Sequence, residues 1–302
     1  MPWLCMPAAA HPMGDQTRSD PDKHLRGGEF YSPVQASLRT GDVLLSQLHQ
    51  PGSRSMPRHE HELAYVNIVL HGEYLEGDHG KLDHLRPLTA VFNPAGTQHS
   101  NVIGPSGATF FTIELRDEAL RQFGLRVPER TTFDRGAGAM LWPGLRLYSA
   151  FKAHAAGSQG SEADALPSQE VEGEIFEMLG AIAGFEAPDR VAPVWFGRVK
   201  ERLHEDFREP LRMRDLAREA GIHPVHLARV FRSIERRTPG EYQQRLQVRA
   251  ACELLRDREW PLAAIAAECG FADQSHLTRV FRRMSGTTPA RFRQTVAPRA
   301  TA

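Results

Sequence analysis

Between Phe30 and Leu115 the apolar residues come in short bursts, at 42–46, 64–70, 89–92 and 109–115, separated by Gly, Pro and Asn. Bursts of that length predict strands, and several at such spacing predict an all-β barrel or sandwich. After Arg116 apolar residues recur every three or four positions, so 117–123, 142–154 and 169–185 are expected helices, with a loop at 157–162. In the third of these, Val171, Ile175, Met178, Leu179 and Ile182 make one stripe, which suits packing on the barrel and a dimer face equally. Residues 187–193 are the expected linker. Beyond them the chain reads as nearly continuous helix to Gln294, punctuated by Gly221, Pro239, Gly240, Pro261, Gly270 and Gly286. Residues 1–28, rich in Pro, Gly, Asp and Ser with no apolar period, are expected to be a disordered tail.

Residues 216–231 and 265–281 repeat one another. Ala217, Glu219 and Gly221 recur 49 positions on as Ala266, Glu268 and Gly270. His226, Leu227, Arg229, Val230 and Phe231 recur 50 positions on as His276, Leu277, Arg279, Val280 and Phe281, so one residue is inserted between the two groups. Each copy has the logic of a helix-turn-helix. The small Ala lets a second helix pass closely, and the Gly permits the positive φ that ends the first helix and turns the chain. Leu227, Val230, Phe231 and Ile234, and then Leu277, Val280, Phe281 and Met284, give each second helix an inward face. Facing outward are Val225, Ala228, Arg229 and Arg232 in the first copy, and Gln274, Ser275, Thr278, Arg279 and Arg282 in the second. Arg can fork to guanine, Gln to adenine, Ser and Thr to several base edges, and Val or Ala can touch a thymine methyl, so the set suits a major groove. Arg229 and Arg279 are the expected base readers, with Arg232, Arg282 and Arg283 on phosphate.

The stretch 198–296 resembles the DNA-binding domain of AraC/XylS-type transcription regulators. The resemblance rests on Gly221-Ile-His-Pro-Val-His-Leu-Ala-Arg-Val-Phe231, on Gly270-Phe-Ala-Asp-Gln-Ser-His-Leu-Thr-Arg-Val-Phe281, and on Gly286-Thr-Thr-Pro-Ala-Arg-Phe-Arg293. It implies two helix-turn-helix units joined by a long helix, here about 240–255, that spaces two recognition helices for successive major grooves. Val225 and Ala228 are small and apolar, which speaks against strong hydrogen-bonded readout by the first unit.

Upstream, His59-Glu-His61 and Pro94-Ala-Gly-Thr-Gln-His99 resemble the paired motifs of the cupin barrel. On a strand His59 and His61 share a face, and with His99 they could offer three imidazoles to a divalent metal. Where cupin enzymes usually place a Glu, four residues after the second His, this chain has Tyr65, and Leu88 stands where a Gly is expected. That departure favours a barrel that holds a small effector or serves as scaffold over one that does oxygen chemistry, with a metal on His59, His61, Tyr65 and His99 as the alternative. His71, His79 and His84, in a polar hairpin region, are expected to be solvated.

Charge sharpens the division. The 302 residues carry 37 Lys+Arg and 37 Asp+Glu, but 198–296 holds 20 basic and 13 acidic residues, a net +7 balanced by −7 elsewhere. A basic C-terminal segment on an otherwise acidic chain fits a polyanionic partner. No apolar run nears the ~20 residues of a membrane span. Three cysteines, Cys5, Cys252 and Cys269, give neither a disulfide framework nor a CxxC zinc pair, which fits a reducing cytoplasm. Clustered cysteines for a methyl-accepting repair regulator are missing, and neither a phosphate-binding Gly loop nor GxSxG occurs, so nucleotide hydrolysis and acyl transfer lack support.

The expected fold is therefore α+β: a disordered tail (1–28), a cupin-like β-barrel (29–116), a helical connector that is a candidate dimerisation region (117–190), and an all-α double helix-turn-helix DNA-binding domain (195–296). The expected function is sequence-specific transcription regulation without catalysis. The expected partners are operator or promoter DNA, an effector in the barrel, RNA polymerase and a second copy of the chain. No cofactor is required, and a DNA-tethered cupin metalloenzyme is the rival reading.

Overall fold

In the computed structural model, residues 23–78, 81–122, 128–134, 138–157, 168–185 and 192–296 are described. Of the expectations above, those on residues 1–22 (Cys5 among them), His79, Phe123, the 158–162 part of the loop and the 187–191 part of the linker lie outside these residues.

A single nine-stranded sheet folds over on itself. Its spine is the pair β5 (Ala64–Asp78) and β8 (His99–Leu115), the two longest strands, whose register slips between Val69 and His71 and again between Gly72 and Tyr74. Those slips bend both strands, so each contributes to two layers. The C-terminal half of β8 and the N-terminal half of β5 carry β3 (Val43–Gln50), β2 (Val34–Thr40), β7 (Ala90–Asn93) and β9 (Thr132–Asp134). Their other halves carry β4 (Arg54–His61), β1 (Lys23–Leu25) and β6 (Lys81–Leu85). Two expectations are corrected here. Residues 23–25 pair in parallel with β4 and are not tail, and β9 extends the sheet beyond residue 116.

Alternation along β5 separates two environments. Ala64, Val66, Ile68 and Leu70 face outward into a core shared with the connector helices α2 (Leu141–Gly157) and α3 (Ser168–Phe185). Val69 and Tyr74 face a second apolar cluster between the layers, with Leu48, Met56, Ile103 and Phe110. Short helix α1 (Asp117–Gln122) leaves the sheet, and β9 then sets the start of α2, where Asp134 Oδ2 accepts from the Met140 and Leu141 amides at 2.6 and 3.2 Å. The stripe of α3 is buried in this core: Val171, Ile175, Met178, Leu179 and Ile182 are all at most 4% exposed. It packs within the chain and is not a dimer face.

The C-terminal region comprises α4 (Val194–Glu205), α5 (Met213–Glu219), α6 (Pro224–Glu235), α7 (Pro239–Leu254), α8 (Leu262–Glu268), α9 (Gln274–Ser285) and α10 (Pro289–Val296). Its two units have separate cores. Phe196, Leu216, Leu227, Phe231 and Tyr242 form the first, whereas Ile265, Leu277, Phe281 and Phe292 belong to the core that runs on into α2, α3 and the sheet. No helix among the described residues is long and apolar enough to cross a membrane.

Candidate functional site

The second helix of each unit starts where the sequence supplies a cap. Pro224 sits in the first turn of α6 behind His223, whose Nδ1 accepts from the Val225 amide at 3.3 Å. At α9 the inserted residue brings in Asp273, whose carboxylate accepts from the His276 amide at 2.6 Å and stabilises the positive end of the helix. Gly221 (φ +68°) and Gly270 (φ +77°) make the expected left-handed turns. Leu227 and Phe231, then Leu277, Val280, Phe281 and Met284, are buried, which leaves the opposite faces outward.

Those outward faces carry the residues expected from sequence. On α6, Val225 is 69% exposed, Arg229 and Arg232 are exposed, and Ala228 is half-buried. On α9, Gln274, Ser275, Arg279, Arg282 and Arg283 are exposed. Among the described residues no hydrogen bond ties the guanidinium of Arg279 or of Arg282, so both forks face outward. Two side chains are more committed than their types suggest. Thr278 Oγ1 donates to the Gln274 carbonyl at 2.8 Å, leaving its methyl and an acceptor lone pair for a base edge. Arg283 donates one N–H to Gln244 Oε1 at 2.7 Å, which fastens α9 to α7. On the first unit Arg229 lies 3.3 Å from His226 Nδ1. Helix α7, of 16 residues and so about 24 Å long, begins in a capping box between Thr238 and Glu241 and forms the rod between the units.

The second constellation lies between the sheet layers. His59, His61 and His99 are all buried, and one nitrogen from each lies within 4.8 Å of the others. Strand register does this, because β4 pairs with β8 at His59 and His99 and His61 follows two residues on. His59 Nδ1 donates to the Pro57 carbonyl (2.8 Å) and His99 Nδ1 to that of Thr97 (3.3 Å), which leaves Nε2 of each as the lone-pair atom, while His61 Nδ1 has no hydrogen-bond partner among the described residues. Burial, reinforced by the neighbouring imidazoles, lowers His59 to about 4 and His61 to about 2, so both are neutral at pH 7 and able to ligate.

Tyr65 meets the histidines as a hydrogen-bond donor. Burial, reinforced by Glu76, holds its phenol well above the ordinary value, and its hydroxyl donates to His99 Nε2 at 3.2 Å while accepting from Asn93 at 3.0 Å. Behind it Glu76 accepts from Tyr74 at 2.8 Å and from Asn93 at 3.2 Å, and Asn67 receives Thr112 at 3.0 Å. Sequence reasoning missed this polar ring, although Tyr65 and Asn67, then Tyr74 and Glu76, are spaced two apart on one strand. The cavity at the histidines measures about 40 Å³. A drug-sized effector needs ~300 Å³ or more, whereas this space as it stands has room for an ion or a water. Of the hairpin histidines, His84 pairs with Glu73 at 2.9 Å, and half-buried His71 is lowered by burial and by Arg256, so His71 is not the solvated residue expected.

Residues 216–295 match a family model described as a helix-turn-helix domain. No curated protein matches the chain. Among solved structures, similarity extends to the C-terminal domain of AraT, a response regulator from Geobacillus stearothermophilus, at 22% identity over 38% of this chain and 94% of that one, with a TM-score of 0.35. ToxT from Vibrio cholerae aligns at 10% identity over 85% of this chain and 100% of that one, also at 0.35. A probable AraC family transcriptional regulator from Rhodopseudomonas palustris aligns at 25% identity over 34% and 98%, with a TM-score of 0.32.

Proposed function

We propose that residues 216–295, which match a helix-turn-helix domain, are the AraC-type DNA-binding part of a transcription regulator without catalytic activity, with a division of labour between its two heads. Helix α9 reads base edges in one major groove through Gln274, Ser275 and Arg279, with Arg282 on phosphate. Helix α6 enters the next groove, using Val225 and Ala228 for shape and methyl contact and Arg232 for phosphate. The observation that carries this is the exposure of both outward faces at the two ends of one continuous helix. Such a protein works in the cytoplasm, on promoter DNA.

The test begins with duplexes selected by the protein from a random pool. In fluorescence anisotropy Arg279→Ala costs ~1–3 kcal/mol and relaxes one position, whereas Arg282→Ala weakens all sequences alike and lowers the salt slope by about 1. Unchanged affinity in Arg279→Ala refutes the assignment.

A second reading concerns the histidines. The 4.8 Å spread exceeds the ~3.3 Å separation that metal–nitrogen bonds of 2.0–2.1 Å require, so a small inward rotation of the rings and release of His99 by Tyr65 would complete the set. We propose that His59, His61 and His99 hold a divalent transition metal, which would supply a structural tie between β4 and β8. Cobalt(II) titration of the full chain would give ligand-field bands that vanish in His99→Ala. Identical spectra in the variant would overturn this.

A further inference from the structure

The two outward-facing helices carry a histidine at equivalent positions, and the two histidines do different work. In the second unit His276 turns back to its own corner: Nδ1 accepts from the Ala272 amide at 3.4 Å, and the ring meets the edge of Phe271 at 5.4 Å between centroids. In the first unit the corner is one residue shorter, and Ile222 stands where the second has Phe271. There His226 leans on Trp195 of α4, with ring centroids 5.9 Å apart, and its Nδ1 meets the Arg229 guanidinium at 3.3 Å. A guanidinium only donates, so the contact fixes both the direction of the bond and the tautomer of the neutral ring: Nδ1 carries the lone pair and Nε2 the proton.

Residues three apart on a helix are neighbours, and this bond draws the Arg229 side chain back toward the N-terminal end of α6. That is the end a recognition helix turns to base edges, and Val225 stands there 69% exposed. One N–H of the guanidinium is used, so the fork keeps a pair of donors for a guanine edge. Arg279, the counterpart on α9, is not held in this way among the described residues, because His276 Nδ1 is taken by the turn.

We propose that His226 is a positioning residue: it presets Arg229 as the hydrogen-bonding base reader of the first head, in the groove where Val225 and Ala228 supply shape and methyl contact. The tether removes in advance part of the rotational freedom that a long side chain loses on docking. Trp195 supports the imidazole from behind, so a residue of α4, outside both helix-turn-helix hairpins, acts on base readout through His226. This inference rests on the DNA-binding reading above and adds to it one reader and the residue that aims it.

The test is a double-mutant cycle on the duplex that the full chain selects from a random pool, read by fluorescence anisotropy. Arg229→Ala is expected to weaken binding by about tenfold and to relax one position of the first half-site. His226→Ala is expected to weaken it by about twofold to tenfold, the cost of ordering one long side chain, and to relax the same position. Once Arg229 is replaced by alanine, His226→Ala should change nothing further. His226→Asn keeps an acceptor where Nδ1 stood and should retain binding, whereas His226→Gln, whose acceptor lies farther out, should not. In the second head the cycle of His276 and Arg279 is expected to be additive. Additive losses for His226 and Arg229, or equal binding by the Asn and Gln variants, overturn the proposal, with thermal melting confirming that each variant is folded. A readout without DNA stands beside these: in nitrogen NMR of the full chain, Arg229→Ala should shift the Nδ1 resonance of His226 and leave that of His276 in place. An unmoved His226 resonance overturns the tether. Failure to select any duplex sinks the DNA-binding reading, and the resonance still judges the contact.

Discussion

Gly221 and Gly270 occupy equivalent turns in the two units, with φ of +68° and +77°, yet their surroundings differ. A Cβ placed on Gly221 meets nothing within 4 Å, whereas one placed on Gly270 would lie 2.1 Å from the Arg208 carbonyl oxygen and 2.7 Å from its carbon. Gly221→Ala therefore incurs only the left-handed strain of ~1–2 kcal/mol, partly offset by the entropy that alanine removes from the unfolded chain, for a net cost of about 1 kcal/mol. Gly270→Ala adds a collision with backbone, which no side-chain rotamer relieves. Moving Arg208 aside strains the bonds that fasten this corner, Arg208 Nε to the Glu268 carbonyl at 3.1 Å and Gln247 Nε2 to the Gly270 carbonyl at 3.3 Å. At ~1–3 kcal/mol for overpacking, the total reaches about 2–4 kcal/mol. Urea titration followed by tryptophan fluorescence compares the two, since Trp195 packs against the first unit and Trp260 precedes the second. The reasoning fails if both substitutions shift the unfolding midpoint equally, because the space around the turn would then play no part.

Glu114 carries a pH dependence. Burial raises its carboxyl to about 7 despite the Gly28 amide donating to it, so the folded state holds this proton more tightly than the unfolded chain does. Stability contributed by the proton is full below ~4.5 and is lost as pH rises to ~7, by about 3 kcal/mol. Glu114→Gln keeps an acceptor for Gly28 and should flatten the urea midpoint between pH 5 and 7; a midpoint that still falls across that window would contradict the assignment. Arg236 ends α6 at φ +58°, in the place where α9 has Gly286 at +74°. Replacing it with Gly relieves ~1–2 kcal/mol of strain against ~0.5–1 of added chain entropy, so calorimetry should show a slightly higher melting temperature, and a fall would count against the strain.

The helix-turn-helix units could be read from sequence because their determinants are local. Apolar spacing fixes the inward face of α6 and α9, the Gly fixes the turn, and the outward residues follow by exclusion. The sheet was harder. The strands at Val43, Ala64, Ala90 and Thr109 announce themselves by apolar density, but β4 reads Arg54-Ser-Met-Pro-Arg-His-Glu-His61, a polar text whose extension depends on pairing with β8. β1 and β9 are three residues long and exist only as partners of β4 and β7. The histidine cluster was legible as a motif, and its protonation was not. Burial sets that, and burial is a property of the closed sheet.

The division of the C-terminal region between two cores bears on how its heads behave. The first unit closes on itself around Phe231 and Tyr242, and among the described residues its apolar core draws on none from the N-terminal half. The second shares its core with α2, α3 and the sheet, and its recognition helix ends on side chains from α2. A disturbance transmitted through the connector thus reaches α9 directly and reaches α6 only through α7. The richer base-facing set, Gln274, Ser275 and Arg279, stands on the head that is mechanically tied to the rest of the chain. The apolar Val225 and Ala228 stand on the autonomous one. Control exerted through the connector would on this account alter how selectively the protein reads its site before it altered whether the first head stays bound.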